Sequence, residues 1–547
     1  MKRSVRSLQA AVPAAIALAF FVFSWALRYN EPEGGFAGLL DDHFFYVVRG
    51  WQMLYGEWPD RDFVDIGAPL TFVLSAAVQM IGGRGTLPEI VLCVTLLSAA
   101  AALSFYAAAR ASGSIVAAAA ATLFHIALAP RLYNYSKLIS YALAIPATWA
   151  LIDRPTWPRR VALAVVTIVA LLLRHDHGIF VAVFAGATVL LSRWSWKEKR
   201  QELIRYALLS LVLVLPYLVY LQIHGGIVEH FVTANAWSMR DRGRAPLLWP
   251  ALFTSSLVSW LFYLLVAIPF VAGALLWRSQ YAWRPLWPEA KAKLAGVAIL
   301  ALMLNVGFLR GALGARLGDV IVPHTILIAW LLVVAIAMVR GRAAATLRAP
   351  ARLAVALLII VALAVPSVPL AAELTRRLEA SHIALDPGYV LGRMQEITAR
   401  FQQTWPLERW ASPTNNPSTA LMFYLDACTR PEHRVFVSQY MPQVPALARR
   451  AFAGGHPDLR PGFFATDEDQ RLFVERIGGQ HVPVLIVPPT GEYEQFAQEF
   501  PLVEQYFAAR YGPVIDRDLG ETRVGIRTLK EASPRGRYEP LDLPCFR

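Results

Sequence analysis

The stretch LLDDHFFYVVRGWQMLYGEWPDRDFVD, residues 39–65, decides the reading of this chain. It follows the first long apolar segment and sets five aspartates, Asp41, Asp42, Asp60, Asp62 and Asp65, among aromatic residues. At about 100° per residue, a helix over 41–55 puts Asp42, Tyr46, Arg49 and Met53 on one narrow face. Phe44, Val47, Val48, Trp51, Leu54 and Tyr55 fall opposite, with Asp41 off to the side. Such a helix is suited to lying at a membrane surface. Gly56, Pro59 and Gly67 then break the chain into turns that carry Arg61, Asp62 and Asp65, and Pro69 opens the next apolar run. For each aspartate the plain alternative is a helix cap or turn residue.

Outward from this loop the chain is mostly apolar. Its 547 residues are 56% hydrophobic and 17% charged, with mean hydropathy +0.44. The charged share is well below the ~25% usual for soluble domains. Apolar runs recur to about residue 370, at 10–28, 68–82, 88–109, 113–130, 138–152, 161–173, 178–192, 203–223, 251–276, 294–309, 320–339 and 352–370. Each approaches the ~20 residues that cross the hydrocarbon as a helix. The expected fold class is a polytopic α-helical membrane protein, with a membrane region over 1–370 and an outer loop at 29–67.

The formal charge of +13 does not point to nucleic acid. Much of the Lys and Arg sits in the short loops 154–160, 193–200, 278–293 and 340–352, as on the cytoplasmic side of a membrane protein. Lys2, Arg3 and Arg6 place the N-terminus inside as well, before an uncleaved first span. Loops 174–177, 224–250 and 310–319 then fall outside, and the chain leaves its last span outside. An odd number of spans is expected, 11 or 13. The twelve apolar runs therefore contain one that is re-entrant, half-spanning or miscounted, and the short 138–152 is the suspect.

After residue 371 the pattern changes. Runs at 434–440 and 482–489 read as strands, 371–403 and 492–511 as helical, and 522–529 as a last strand. This predicts an extracytoplasmic α/β domain over 371–547. Cys428 and Cys545 both lie in it, and a disulfide and two free thiols are equally open; Cys93 lies in an apolar run.

Polar groups near the expected outer surface are the remaining candidates. RHDHG, 174–178, puts Arg174, His175 and Asp176 between two apolar runs, a costly placement unless paired or facing water. RLYNYSK, 131–137, carries Arg131 and Lys137; 224–250 carries Glu229 and His230; RGALGARLGD, 310–319, carries Arg310 and Arg316. Outer arginines run against the positive-inside tendency, and clustered they suit a lipid phosphate. No metal motif, P-loop or GxSxG is present, so no metal ligand is assigned and divalent-metal dependence has no motif behind it.

Asp42-x-x-x-Tyr46, Met53-Leu54, Gly56 and Pro69-Leu70 together resemble glycosyltransferase family 39, a group with the GT-C membrane fold. It includes protein O-mannosyltransferases and the bacterial aminoarabinose transferase that acts on lipid A. The motif covers about residues 40–72; the layout covers the whole chain. His43 stands where the family usually has Glu, and Ala68-Pro69 where it often has Pro-Pro. The resemblance implies an inverting membrane glycosyltransferase of the bacterial inner membrane. It would move a sugar from a polyprenyl-phosphate donor to a hydroxyl-bearing envelope acceptor, whether lipid, glycan or protein, on the outer face. Asp42 would be the general base, with Asp41 in reserve. Tyr46, Arg49, Arg61, Asp62, Asp65, Arg174, His175, Asp176, Arg310 and Arg316 would bind substrate. A transporter or lipid flippase is the competing reading, but no internal inverted repeat is evident. A structural subunit of an envelope assembly would not need the acidic loop.

Overall fold

The computed structural model describes residues 2–30, 41–244, 249–250, 256–278, 289–309, 313–341, 349–383, 387–403, 418–519 and 522–547. Arg310 and most of the basic loops 278–293 and 340–352 lie outside them, as do the side chains of Asp41 and Asp42. By packing the chain divides into two compact units. The first comprises 1–38, 91–219 and 242–394; the second comprises 39–90, 220–241 and 395–547. This departs from a division at residue 370. The last apolar helix runs unbroken from Ala349 to Ser381, and two early segments pack with the C-terminal one.

The helices in order are α1 (Lys2–Asn30), α2 (Asp41–Leu54), α3 (Pro69–Gly82), α4 (Thr86–Ser112), α5 (Ile115–Ala127) and α6 (Tyr135–Asp153). Then come α7 (Trp157–Leu173), α8 (His175–Leu191), α9 (Trp196–Ile223), α10 (Ile227–Arg244), α11 (Leu257–Arg278) and α12 (Ala290–Asn305). The short α13 (Leu313–Arg316) precedes α14 (Ile321–Val339), α15 (Ala349–Ser381) and α16 (Pro387–Gln403). Among the described residues, seven helical segments are long and apolar enough to cross a membrane. The protein is a multi-pass membrane protein.

In the first unit the helix ends form two sets. One set holds the C-terminal ends of α4, α6 and α8 with the N-terminal end of α12. There Asp153 pairs with Arg110 and Lys293, and Arg193 N donates to Glu289 at 3.0 Å. Beside it Arg160 grips Glu202 through two bonds of 2.6 and 2.8 Å, joining the starts of α7 and α9. The other set holds the C-terminal ends of α1, α5 and α15 and the N-terminal ends of α6 and α14. Arg28 donates to Pro130 O at 3.2 Å and Arg377 to Ile126 O at 2.9 Å. Lys137 on α6 pairs with Asp319 just before α14 at 2.6 Å.

These two sets determine the parity. Among the described residues α1, α4 to α9, α11, α12, α14 and α15 alternate between them, which is eleven helices and an odd count. The apolar run at 138–152 is not the defective one; α6 is a 19-residue buried helix. The surplus run is 68–82. It forms α3, which packs on α2 in the second unit and takes no part in the two sets of helix ends.

The second unit is built on a five-stranded sheet of order β2-β1-β3-β5-β4, comprising β1 (Arg434–Val437), β2 (Ala451–Phe452), β3 (Val484–Val487), β4 (Ile515–Asp518) and β5 (Arg523–Thr528). β1 runs parallel to β2 and β3, while β5 is antiparallel to β3 and β4. Both strand runs and the run at 522–529 appear where the alternation placed them. The last is not terminal: a hairpin of β6 (Gly536–Tyr538) and β7 (Leu543–Cys545) follows. The expected helix over 492–511 is two helices, Thr490–Glu499 and Pro501–Arg510, because Pro501 lacks the N–H that would continue the first. Phe436, Phe473, Phe496 and Phe507 fill the core between sheet and helices. Cys428 and Cys545 are disulfide-bonded, tying the helix Ser418–Cys428 to β7, and Cys93 is a buried free thiol.

Helix α2 forms where its periodicity predicted, but it does not lie on a surface. Its apolar residues Phe44, Val47, Val48 and Trp51 are buried, and so are His43, Arg49 and Gln52 on its other sides. It is packed between α3 and the β2 edge of the sheet. The Gln52 side-chain amide donates to Phe452 O at 3.3 Å and accepts from Phe452 N at 3.2 Å. Those two bonds serve the edge-strand residue Phe452, whose carbonyl also accepts from Arg434 Nη1 at 3.1 Å.

Candidate functional site

The expected site residues fall into three groups. The first lies on and after α2, within the second unit. Asp41 and Asp42 occupy its first turn. Tyr46 is half-buried, its ring 6.2 Å from that of Phe72. Arg49 is 1% exposed. It stacks 3.6 Å from the Phe45 ring centroid and donates to Phe45 O at 3.0 Å and to Val64 O at 3.3 Å. Burial lowers its pKa to about 10, against the charges of Asp458 and Asp65, so it stays a cation at neutral pH. Arg49 thus clamps the loop after α2 to the helix itself.

Arg61 and Asp62 pair with each other across one residue step, with Arg61 Nε 2.7 Å from Asp62 Oδ2. Arg61 also donates to Gly56 O at 2.8 Å, and Asp62 accepts from Trp58 N at 2.8 Å. They close an exposed turn. Asp65 is buried and accepts from Gly67 N and Ala68 N at 2.8 and 3.0 Å, shaping the entry to α3.

The second group forms a polar cavity of about 90 Å³ in the first unit, at the helix ends where α6 and α14 begin. Lys137, Arg174 and Arg316 supply three cationic heads, and Asp176 and Asp319 two carboxylates. Phe180, Leu304, Val306 and Phe308 make an apolar wall. Lys137 Nζ is 2.6 Å from Asp319 Oδ2, and Arg174 Nε is 2.9 Å from Asp176 Oδ1. Tyr141 OH lies 2.6 Å from His177 Nδ1, which is itself 3.4 Å from Asp176 Oδ1. Arg316 approaches Asp319 only to 3.9 Å, and its buried Nε has no hydrogen-bond partner among the described residues.

Local sequence explains the placement. Arg174 is in extended conformation at the start of α8, and Asp176 in the first turn suits the positive end of the helix dipole. Gly178 allows α7 and α8 to meet so closely that a Cβ there would sit 2.4 Å from Leu171 Cα. Gly318 does the same before α14, where a Cβ would sit 2.9 Å from Pro130 Cα. The RHDHG stretch is therefore both a tight hairpin turn and part of the cavity. His175 is not in the lining; its Nε2 lies 3.2 Å from Tyr217 OH. Arg310 lies outside the described residues.

The cavity adds Lys137, Tyr141, His177 and Asp319 to the expected set. Lys137 and Asp319 are 182 positions apart, and their charges alone gave no sign that they pair. Tyr141 sits inside an apolar run and carried no signal at all.

The third group was legible only as separate residues. Asp60 Oδ1 is 2.7 Å from His230 Nδ1, and Asp65 is close by. Burial lowers the His230 pKa, but the hydrogen bond and charge of Asp60, with Asp65 behind, outweigh it and leave the imidazole above its ordinary value.

Neither a family model nor a curated protein matches the sequence. Solved structures do. ArnT from Cupriavidus metallidurans bound to undecaprenyl phosphate is similar with a TM-score of 0.50 and 17% identity, over 96% of this chain and 99% of that one. The apo state of the same protein gives 0.48 and 16%, over 96% and 98%. An Archaeoglobus fulgidus oligosaccharyltransferase complex with Zn and sulfate gives 0.33 and 12%, over 94% and 72%. The end-to-end likeness to ArnT shows that the chain has the GT-C fold.

Proposed function

We propose that this chain is an integral-membrane glycosyltransferase that takes a sugar from a polyprenyl-phosphate donor and gives it to a hydroxyl of an envelope acceptor. The observation that carries the reading is the cavity of Lys137, Arg174 and Arg316. Three cations against two carboxylates leave an excess of positive charge, and Arg316 keeps hydrogen-bonding capacity to spend. A lipid phosphate matches that chemistry: guanidinium and ammonium groups bind it by charge-assisted hydrogen bonds. The apolar wall of Phe180, Leu304 and Phe308 suits the start of an isoprenoid tail. That ArnT, which shares the fold, was solved with undecaprenyl phosphate supports the choice of carrier.

In the proposed step the acceptor oxygen attacks the anomeric carbon and its proton passes to the Asp42 carboxylate. The bond from that carbon to the phosphate oxygen breaks, and the lipid phosphate departs with one more negative charge than it had as a diester. Cations held in place before the reaction stabilise that developing charge without reorganising. A single displacement inverts the anomeric centre. Asp42 holds the role of base by its position on the first turn of α2, with Asp41 beside it. The reaction runs on the outer face of the bacterial inner membrane, with the N-terminus in the cytoplasm.

The test is Asp42→Asn and Asp41→Asn in purified protein. Asp42→Asn is expected to lower transfer by ~10²–10⁴-fold, the range for general-base catalysis, while the protein stays monodisperse. Full turnover by both variants would remove the assignment. Lipid extracts of a deletion strain separate the transferase from a flippase: the transferase reading expects a polyprenyl-phosphate sugar to accumulate.

A further inference from the structure

We infer that Arg460, stacked against Tyr440 and Phe463, binds a carboxylate carried by the acceptor. Calling the ligand the acceptor rests on the transferase reading; the site rests on its own geometry, all of it within the second unit. There β1 lies between β2 and β3 and runs parallel to both, so the chain crosses from one side of β1 to the other. In open α/β sheets the crevice beyond the carboxyl ends of strands, at such a reversal of order, is where ligands bind. Tyr440 lies three residues beyond the end of β1, and Arg460 lies on the loop after β2. Leu459 N donates to Val437 O at 3.1 Å and draws that loop over the end of β1.

The loop is built to present a guanidinium. Phe463 N donates to Arg460 O at 3.2 Å, which closes a four-residue turn. Pro461 suits its second position and Gly462, with φ 87°, its third. Arg460 and Phe463 therefore meet at the two ends of the turn. Arg460 Cζ is 4.6 Å from the Phe463 ring centroid and 4.3 Å from that of Tyr440. Its Nε lies 3.0 Å from Asp458 Oδ2. Two rings and a carboxylate thus fix the plane of the fork before any ligand arrives. The Arg460 side chain is 20% exposed, and its Nη groups make no hydrogen bond among the described residues. At the end of β1, Ser438 is 1% exposed, and its Oγ has no hydrogen-bond partner among the described residues. A buried hydroxyl in that position is a second polar group in want of a ligand.

The chemistry selects the ligand. The paired Nη groups of a fixed arginine match two oxygens of a carboxylate or a phosphate. Charge decides between them. Arg460 and the buried Arg49 both exert their charge on Asp458, so two cations meet one carboxylate. A single surplus positive charge balances a carboxylate, whereas a phosphate monoester brings about −1.5 to −2. Position makes the ligand part of the acceptor. The Tyr440 ring is 6.3 Å from that of Phe45 on α2. Phe45 follows Asp41 and Asp42 by one helical turn. A carboxylate on Arg460 therefore sets the rest of the acceptor beside the turn that carries the base.

Saturation-transfer NMR on the full-length protein in detergent measures binding of three probes, D-glucuronate, D-glucose and D-glucose 6-phosphate. Glucuronate is expected to bind tightest. Arg460→Lys keeps the charge but loses the fork, and Arg460→Gln loses both. Each is expected to weaken glucuronate by at least about tenfold, as for loss of a hydrogen bond between charged groups. Equal binding of glucuronate and glucose overturns the site. So does unchanged glucuronate affinity in whichever variant stays monodisperse. Tighter binding of glucose 6-phosphate that Arg460→Gln abolishes overturns the carboxylate in favour of a phosphate. The assay needs no sugar transfer, so failure of the Asp42 experiment leaves this site standing, and failure here leaves the Asp42 assignment standing.

Discussion

Replacing Lys137 with Met tests whether the cavity of the first unit holds a lipid phosphate. Lys137 is almost fully buried and lies 2.6 Å from Asp319 Oδ2. Methionine keeps most of its volume but removes the charge, so the three cations and two carboxylates become two and two. A hydrogen bond to a charged group contributes ~1.5–3 kcal/mol net. At ~1.4 kcal/mol per tenfold, affinity for a lipid phosphate should fall by about 10- to 150-fold. Part of that fall comes from Asp319, which is left with only Arg316 at 3.9 Å and faces the incoming phosphate. The double variant Lys137→Met/Asp319→Asn removes this repulsion and should recover only part of the loss. Native mass spectrometry or tryptophan fluorescence with polyprenyl phosphate alone gives the dissociation constant without knowledge of the sugar. A monodisperse Lys137→Met protein with unchanged affinity would refute the phosphate assignment. Full recovery in the double variant would mean that Lys137 serves only to neutralise Asp319.

Arg49→Lys keeps the charge but loses the planar fork that reaches Phe45 O and Val64 O, and should lower stability by about 1–3 kcal/mol in thermal unfolding. Gly178→Val should abolish folded yield in size-exclusion chromatography, because its side chain would start 2.4 Å from the backbone of Leu171; wild-type yield would show that α7 and α8 do not approach so closely. Cys428→Ser should destabilise the second unit by up to about 5 kcal/mol, the chain-entropy value for a loop closed across 117 positions. Unchanged unfolding under reducing and oxidising conditions would argue against the bond.

The membrane bundle was legible because hydrophobic runs of helical length are a strong signal that no other structure satisfies in lipid. Its error, counting 68–82 as a span, is instructive. Pro69–Gly82 is apolar, but Phe72, Ser75 and Gln79 on it are buried against protein, in a helix that packs on α2, and hydropathy does not distinguish the two solvents. Helix α2 was placed to within a residue by its periodicity, yet Arg49 on its polar face and Gln52 proved buried. Arg49 and Gln52 find their partners in Val64 and in Phe452, and a partner 400 positions away leaves no mark on local sequence. The candidate cavity shows the same limit. Arg174, Asp176 and Arg316 stood out because charges between apolar runs are conspicuous. Tyr141 did not, since a tyrosine in an apolar helix reads as packing until His177 is seen 2.6 Å from its hydroxyl.

The second unit is assembled from chain segments that leave the ribosome far apart in time. Its α2 and α3 are made before residue 91, while the sheet that α2 packs against begins after residue 395. At ~5–20 residues per second, the nascent acidic helix waits roughly 15–60 s for the strands that enclose it. Truncating the gene before the sheet would therefore not leave a self-sufficient membrane protein. It would leave the helix bearing Asp42 with an uncovered flank, so the late-translated third of the polypeptide doubles as the maturation step of the earliest loop.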